Sequence, residues 1–305
     1  MILRLSACGW GFWCTLIAAM ALVFAAFHPK APIERAVFRY LFVVDITQSM
    51  NARDYHIPGE PPDRLSFVKE AIREVLFDLP CGSEIGLGLF TTRNTEILFD
   101  PIEVCEHLPI IADVLTHIDW RMAWAGDSFI TEGLFNALRQ VHSRSAPMRL
   151  AFFTDGQQTP EELVPPRFTG KPGEVMGVIF GVGGTQQVMI PKLDQENNLL
   201  GYWENVDVIT PLTTTAYQDK PLDETSPPNA RKEGYYLSHL HEDRLKRLAA
   251  TTGLDYHRLR DAESLSAILR SRKFAEDHRV AVDLSPALAI AAWGLLLASY
   301  LRRSV

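Results

Sequence analysis

Hydrophobic positions along this 305-residue chain follow two patterns. Residues 7–27 and 284–301 are long uncharged runs, one near each end. Between them, short apolar runs alternate with stretches of helical spacing. Residues 37–44, Arg149–Thr154, 175–182 and 254–259 are brief, apolar and rich in β-branched or aromatic side chains, as buried strands are. Residues 64–79 follow a capping Asp63 and place Leu65, Val68, Ile72, Val75 and Leu76 on one face. Residues 128–142 do the same with Ile130, Leu134, Ala137, Leu138 and Val141. Residues 101–118, Glu242–Thr252 (stopped by Gly253) and residues 261–271 complete the helices. Residues 84–91 and 95–100, joined by Thr92-Arg-Asn94, have a hairpin signature. Strands alternating with helices predict an α/β fold over residues 34–271, a doubly wound, mostly parallel sheet.

Residues 185–240 break that rhythm with several prolines, Gly201-Tyr-Trp203 and a polar patch over 218–229. A loop of that length is usually functional, and it is expected as an insertion over one end of the sheet. The terminal runs are long enough for two membrane spans, since a bilayer needs about 20 apolar residues. A cleaved signal peptide is the alternative for the first, a buried core helix for the second. Two spans would put both tails on one side of the membrane and residues 28–283 on the other. Arg4, Arg302 and Arg303 favour cytoplasmic tails; Lys30, Arg35, Arg272, Lys273 and Arg279 flank the other side, where a long loop weakens their influence.

A net charge of −7 and a pI near 5.7 argue against nucleic acid as a partner. Cys8 and Cys14 fall in the first apolar run as packing residues. Cys81 and Cys105 are equidistant from Arg93 in the hairpin turn, so they face one another at its open end. Cross-strand neighbours lie within ~5.5 Å, a span a disulfide bridges. Such a bond persists outside the cytoplasm; two buried free thiols are the alternative.

The first strand ends in oxygen-bearing side chains at alternate positions, Asp45, Thr47 and Ser49. Gly126-Asp-Ser128 precedes a helix, and Thr154-Asp155-Gly156 ends a strand. In a sheet of order 3-2-1-4-5-6, strands one and four adjoin at the switch point where ligands bind. Asp45, Thr47, Ser49, Ser128 and Asp155 then converge there, and an all-oxygen set suits a hard cation such as Mg²⁺. Helix capping is the competing use of the hydroxyls. Arg53, Trp120, Arg121 and Trp124 border the crevice as candidate partner contacts, against core packing and a structural ion pair for Trp120, Arg121 and Trp124, and a solvated loop for Arg53 and Asp54. A triad of Ser128, Asp155 and a histidine lacks the Gly-x-Ser-x-Gly elbow. Gly181-Val-Gly-Gly-Thr185 lacks a P-loop lysine, and His239 with His241 is too small a set for zinc.

Asp-x-Thr-x-Ser, Gly-x-Ser and Thr-Asp-Gly together resemble the metal-ion-dependent adhesion site of von Willebrand factor A domains. Thr47 and Ser128 stand where the family pattern has Ser and Thr, and both exchanges keep a hydroxyl. The resemblance implies that Thr47, Ser49 and Ser128 offer hydroxyls, that Asp45 and Asp155 contribute directly or through water, and that one position stays open for a partner's carboxylate. It implies Mg²⁺ as the ion, with Mn²⁺ or Ca²⁺ as alternatives. Asp45 to Met50, Ala52-Arg-Asp54, Pro62-Asp-Arg-Leu65 and the run from Leu245 to Leu259 resemble the bacterial membrane-anchored subgroup, and the similarity covers residues 37–269. Leu79-Pro-Cys-Gly-Ser83, Pro101-Ile-Glu-Val-Cys105 and Asp119-Trp-Arg-Met-Ala-Trp124 are similar to the proteins of the methanol dehydrogenase maturation cluster. That likeness implies an assembly factor of the bacterial inner membrane with a periplasmic domain. Its duty would be metal insertion into a quinoprotein dehydrogenase, alongside a MoxR-type AAA+ ATPase and other von Willebrand A proteins. A metal-dependent hydrolase, and a structural membrane protein with a vestigial site, are the competing readings.

Overall fold

In the computed structural model, which describes residues 9–123, 126–144, 146–160, 166–204 and 236–301, the chain divides into two compact units. One is Val37–Ala275, the other is made of the flanking ends.

The larger unit is organised by strand β2 (Arg39–Asp45), fully buried from Tyr40 onward. Tyr40, Phe42 and Val44 enter one apolar cluster with residues of α2 (Arg64–Asp78), α3 (Val104–His117) and α6 (Ala262–Leu269). Leu41 and Val43 enter a second with α4 (Ile130–His142) and α5 (Glu242–Thr252). Successive strand side chains point to opposite faces, so a strand covered on both sides must be apolar throughout. Burying one such Phe or Leu side chain contributes about 1.5–3 kcal/mol.

The main sheet has six strands in the order β11 (Asp255–Arg258), β6 (Gly177–Gly181), β5 (Arg149–Thr154), β2, β3 (Glu84–Phe90) and β4 (Thr95–Glu103). All neighbours are parallel except β3 and β4. This is the expected mostly parallel α/β arrangement. Val44 lies opposite Phe153, so β2 and β5 end side by side.

Local chemistry sets the boundaries. Asp63 accepts from the Ser66 amide at 2.8 Å and caps α2. Gly253, at φ +79, ends α5 in the left-handed region. Strand β4 runs through Pro101 to Glu103, which caps α3, so that helix starts three residues later than its spacing predicts. The register shifts along β3–β4 accommodate this. Helix α4 starts at Ile130 rather than 128, because the Ser128 amide and carbonyl both pair with Thr159. Cys81 and Cys105 form the expected disulfide, with Cα atoms 5.3 Å apart.

The described part of the insertion holds β7 (Val188–Met189), β8 (Pro191–Leu193), β9 (Leu199–Tyr202) and β10 (Leu237–Ser238). β8 and β9 form a hairpin, and β10 returns antiparallel to β7. Residues 205–235 lie outside the described residues.

In the smaller unit, β1 (Lys30–Val37) pairs with β12 (Glu276–Asp283). Arg279, read from sequence as a membrane flank, pairs across this ribbon with Glu34 at 3.1 Å, and Lys273, read likewise, pairs with Asp255 in the larger unit. Helices α1 (Trp10–Ala25) and α7 (Ser285–Leu301) lie together, tied by Ser285 Oγ to the Ala25 carbonyl and Ser299 Oγ to the Gly11 carbonyl. The expected spans over 7–27 and 284–301 need correction. Among the described residues, no helix is long and apolar enough to cross a membrane. The helices hold 16 and 17 residues, about 24–26 Å at 1.5 Å per residue, and α1 gives way to a turn at Ala26 and Phe27 before β1.

Candidate metal centre

The rim where β2 and β5 end is built from short polar segments. After Asp45 the chain turns at once into a 3₁₀ turn, Gln48–Asn51. Asp45 Oδ1 accepts from the Thr47 amide at 2.9 Å and from Thr47 Oγ1 at 2.7 Å. Thr47 Oγ1 and Ser49 Oγ are 3.3 Å apart. Across the strand boundary, Thr154 Oγ1 donates to Asp45 Oδ2 at 2.6 Å. Asp155 follows Thr154 on the same rim, and Gly156, at φ +73, turns the chain away; a Cβ there would meet Leu245 at 2.8 Å. Asp155 Oδ1 accepts from the Gln157 amide at 2.9 Å. Ser128 joins the same turn, its hydroxyl donating to the Gln157 carbonyl at 2.9 Å. Asp45, Thr47, Ser49 and Asp155 are thus gathered at one rim, with Ser128 fastened to the loop that carries Asp155. All five are buried.

Electrostatics marks the place. Burial pushes the Asp45 carboxyl up to about 7, and the charge of Asp155 adds to the rise, against hydrogen bonds from Thr154 and Thr47. Both effects favour the neutral carboxyl at Asp45 unless a positive charge lies beside it.

One cation was not read from the sequence as part of the site. Arg64, the first residue of α2, is fully buried. Its Nη1 reaches Asp155 Oδ2 at 2.6 Å, Ser238 Oγ at 2.6 Å and the Ser49 carbonyl at 3.3 Å. Its Nε and Nη2 hold Asp54 at 3.0 and 2.6 Å. Burial pulls its pKa down, but Asp155 and Asp54 more than offset that and hold it above its ordinary value. Asp54, expected in a solvated loop, is therefore half of a buried ion pair. A basic residue in the first turn of a helix opposes the macrodipole, and that mismatch was the legible hint of another partner.

The other candidates are placed as follows. Arg53 is exposed. Trp120 Nε1 donates to Asn197 Oδ1 at 2.8 Å, and Arg121 binds Asp119 and the Gln195 carbonyl, so both hold the β8–β9 hairpin. Trp124 lies outside the described residues. Elsewhere among the described residues, Glu103 is near Cys81 and Cys105, and near Glu106 and His107. The cysteines are bonded to one another and Glu103 is taken up in capping, so neither group is a cation site.

The rim fits a hard divalent ion by its chemistry. Its donors are carboxylate and hydroxyl oxygens, without thiolate or imidazole among the five. The side-chain oxygen of Gln157, buried on the Asp155 turn, also has no hydrogen-bond partner, an acceptor short of a donor or cation.

Residues 40–158 match the family model of the von Willebrand factor type A domain. A search of curated proteins finds no match. Among solved structures, the chain is similar to an aerotolerance-related membrane protein from Bacteroides fragilis, at 14% identity over 75% of this chain and 95% of the other, with a TM-score of 0.48. It is also similar to the conserved hypothetical protein BatB from Bacteroides thetaiotaomicron, at 16% identity over 76% and 94%, with a TM-score of 0.49.

Proposed function

We propose that this chain is a membrane-attached protein-capture module. Residues Asp45, Thr47, Ser49, Ser128 and Asp155 hold a divalent cation, Mg²⁺ in the first instance, and the ion holds a carboxylate of a partner protein. The observation that carries this reading is the buried rim of oxygens at the ends of β2 and β5. Thr47 and Ser49 present adjacent hydroxyls there, next to the buried Asp45 carboxyl. Von Willebrand A domains are generally protein-interaction modules, which agrees with it.

Bound, the cation would supply Lewis acidity to fix an incoming carboxylate. This chain's residues do the rest. Thr154 and the Thr47 amide orient Asp45. The Gln157 amide and Arg64 orient Asp155. The apolar clusters on both faces of the sheet keep the rim rigid. The role is assembly or maturation without covalent chemistry.

Membrane attachment rests on the helix pair α1 and α7. Both are apolar on all sides and turn large side chains outward, among them Phe24, Val23, Ile290 and Trp293. The Cys81–Cys105 bond favours an extracytoplasmic larger unit. The narrower duty, calcium insertion into a periplasmic quinoprotein dehydrogenase alongside a MoxR-type ATPase, rests on the segment resemblances alone.

Calorimetry on the full-length protein in detergent tests the site. Mg²⁺ or Mn²⁺ should bind the wild type and fail to bind Asp45→Ala; equal binding by both ends the assignment. Pull-downs from membranes, with and without chelator, test capture of a partner.

A further inference from the structure

Arg64 touches more of the rim than any orienting role for Asp155 requires. Its Nε and Nη2 hold Asp54, and Asp54 Oδ2 accepts the Gly184 amide at 2.7 Å, at the start of the insertion. Its Nη1 holds Ser238 Oγ in β10, where the insertion returns, and Ser238 Oγ in turn donates to Asp155 Oδ2 at 3.1 Å. The next turns are stitched to the same place. The Leu240 amide binds the Gly184 carbonyl at 2.7 Å, the His241 amide binds the Asp155 carbonyl at 2.8 Å, and Gln157 Nε2 donates to the Leu237 carbonyl at 3.3 Å. One guanidinium thus grips both roots of the insertion and a carboxylate of the cation rim.

We propose that Arg64 couples cation binding at the rim to the seating of the insertion's return strand, as a positioning residue that competes with the cation for Asp155. This deepens the reading given under Proposed function and rests on it.

The charges give the mechanism. Asp45, Asp54 and Asp155, when ionised, carry three negative charges, and Arg64 returns one positive charge. Arg244 and Arg258 lie nearby on the Gly156 and Gly183 carbonyls, but the guanidinium that touches Asp155 is that of Arg64. Before the ion arrives, Arg64 neutralises Asp155 and keeps Ser238 in place. An ion drawing on Asp155 adds positive charge next to the guanidinium in a buried setting, where like charges repel strongly. The Arg64–Asp155 bond weakens, Ser238 loses the partner it shares with both, and the return strand loosens. Linkage makes the effect reciprocal: whatever frees Asp155 from Arg64 must strengthen cation binding.

The test uses the full-length protein in detergent. It combines Mg²⁺ calorimetry with hydrogen exchange of the amides of residues 237–241, and folding is checked by circular dichroism. In the wild type, saturating Mg²⁺ should raise exchange in that segment. In Arg64→Met, Mg²⁺ should bind at least about tenfold more tightly, since a buried like charge has gone. Its exchange should be high with or without the ion. Arg64→Lys keeps the charge and cannot bridge, so its Mg²⁺ affinity should rise by less than that of Arg64→Met while exchange no longer responds to Mg²⁺. A merely structural Arg64 predicts the opposite sign, a folded Arg64→Met that binds Mg²⁺ more weakly, and that result overturns the proposal. Should Arg64→Met fail to fold, Ser238→Ala decides: tighter Mg²⁺ binding supports the coupling, and unchanged or weaker binding overturns it. Mg²⁺ binding by the wild type with unchanged exchange defeats the coupling alone. No Mg²⁺ binding by the wild type defeats both the coupling and the reading beneath it.

Discussion

Thr154 and Asp45 are joined across the boundary between β5 and β2: the threonine hydroxyl donates to Asp45 Oδ2 at 2.6 Å, and both residues are fully buried. The same hydroxyl oxygen accepts the Gly156 amide at 2.9 Å, so one side chain steadies both acids of the rim.

Thr154→Val keeps the shape and removes both bonds. It leaves a buried carboxyl oxygen and a buried amide unsatisfied, at about 1–3 kcal/mol for such a loss. Urea unfolding should show a lower midpoint with an unchanged slope. A stability equal to the wild type would mean that Asp45 finds a substitute donor.

The Asp45 carboxyl, lifted from 3.8 to about 7 by burial and by Asp155, gives a signed pH dependence. The folded protein binds a proton there more tightly than the unfolded chain does. This group's contribution to stability is therefore greatest below pH 4 and is lost as pH rises toward 7. In chelator, the melting temperature of the wild type should fall more steeply between pH 4.5 and 7.5 than that of Asp45→Asn. Mg²⁺ at pH 7.5 should restore the wild type and leave the variant unmoved. Parallel pH profiles would remove Asp45 from the account.

The disulfide joins residues 24 apart in sequence and so restrains the unfolded chain. Replacing Cys81 and Cys105 together by serine should cost about 2–4 kcal/mol on the loop-entropy view. Denaturant titration of the double variant reads this directly. A loss below about 1 kcal/mol would show that the β3–β4 hairpin holds its own register, as good cross-strand pairs allow.

Asp155→Ala strips Arg64 of one of its two carboxylate partners inside the protein. Losing one member of a buried ion pair costs about 3–5 kcal/mol. Asp155→Asn, which keeps an acceptor for Arg64, should cost less. The order of the two variants in urea, measured in chelator so that no cation contributes, is the outcome to watch; the reverse order would separate Arg64 from Asp155 energetically.

Much of the frame was legible because it is local. The unbroken apolar run before Asp45 signals a strand covered on both faces, and the alternation of Asp45, Thr47 and Ser49 marks where it stops. The mirror placement of Cys81 and Cys105 about Arg93 needed only counting. What escaped is long-range. Arg64 meets Asp155 across 91 positions and Ser238 across 174, and no periodicity reports such a meeting. For Trp120 and Arg121, placed just before Ser128, the sequence left a partner contact and a structural ion pair both open; Arg121 pairs with Asp119, and the chain turns both residues onto Asn197 and Gln195 in the hairpin. Strands β1 and β12 escaped because their charges also suit the flank of a membrane segment, and the pairing of the two strands, far apart in sequence, is what separates the two.

Strand β4 bounds the sheet with a proline at position 101, shifted register and outward Glu96 and Asp100. Missing a ladder donor and lined with acids, that border repels strand addition by a second molecule. The opposite border, β11, offers only four residues. Copies crowded together are thereby hindered from joining border to border into one continued sheet.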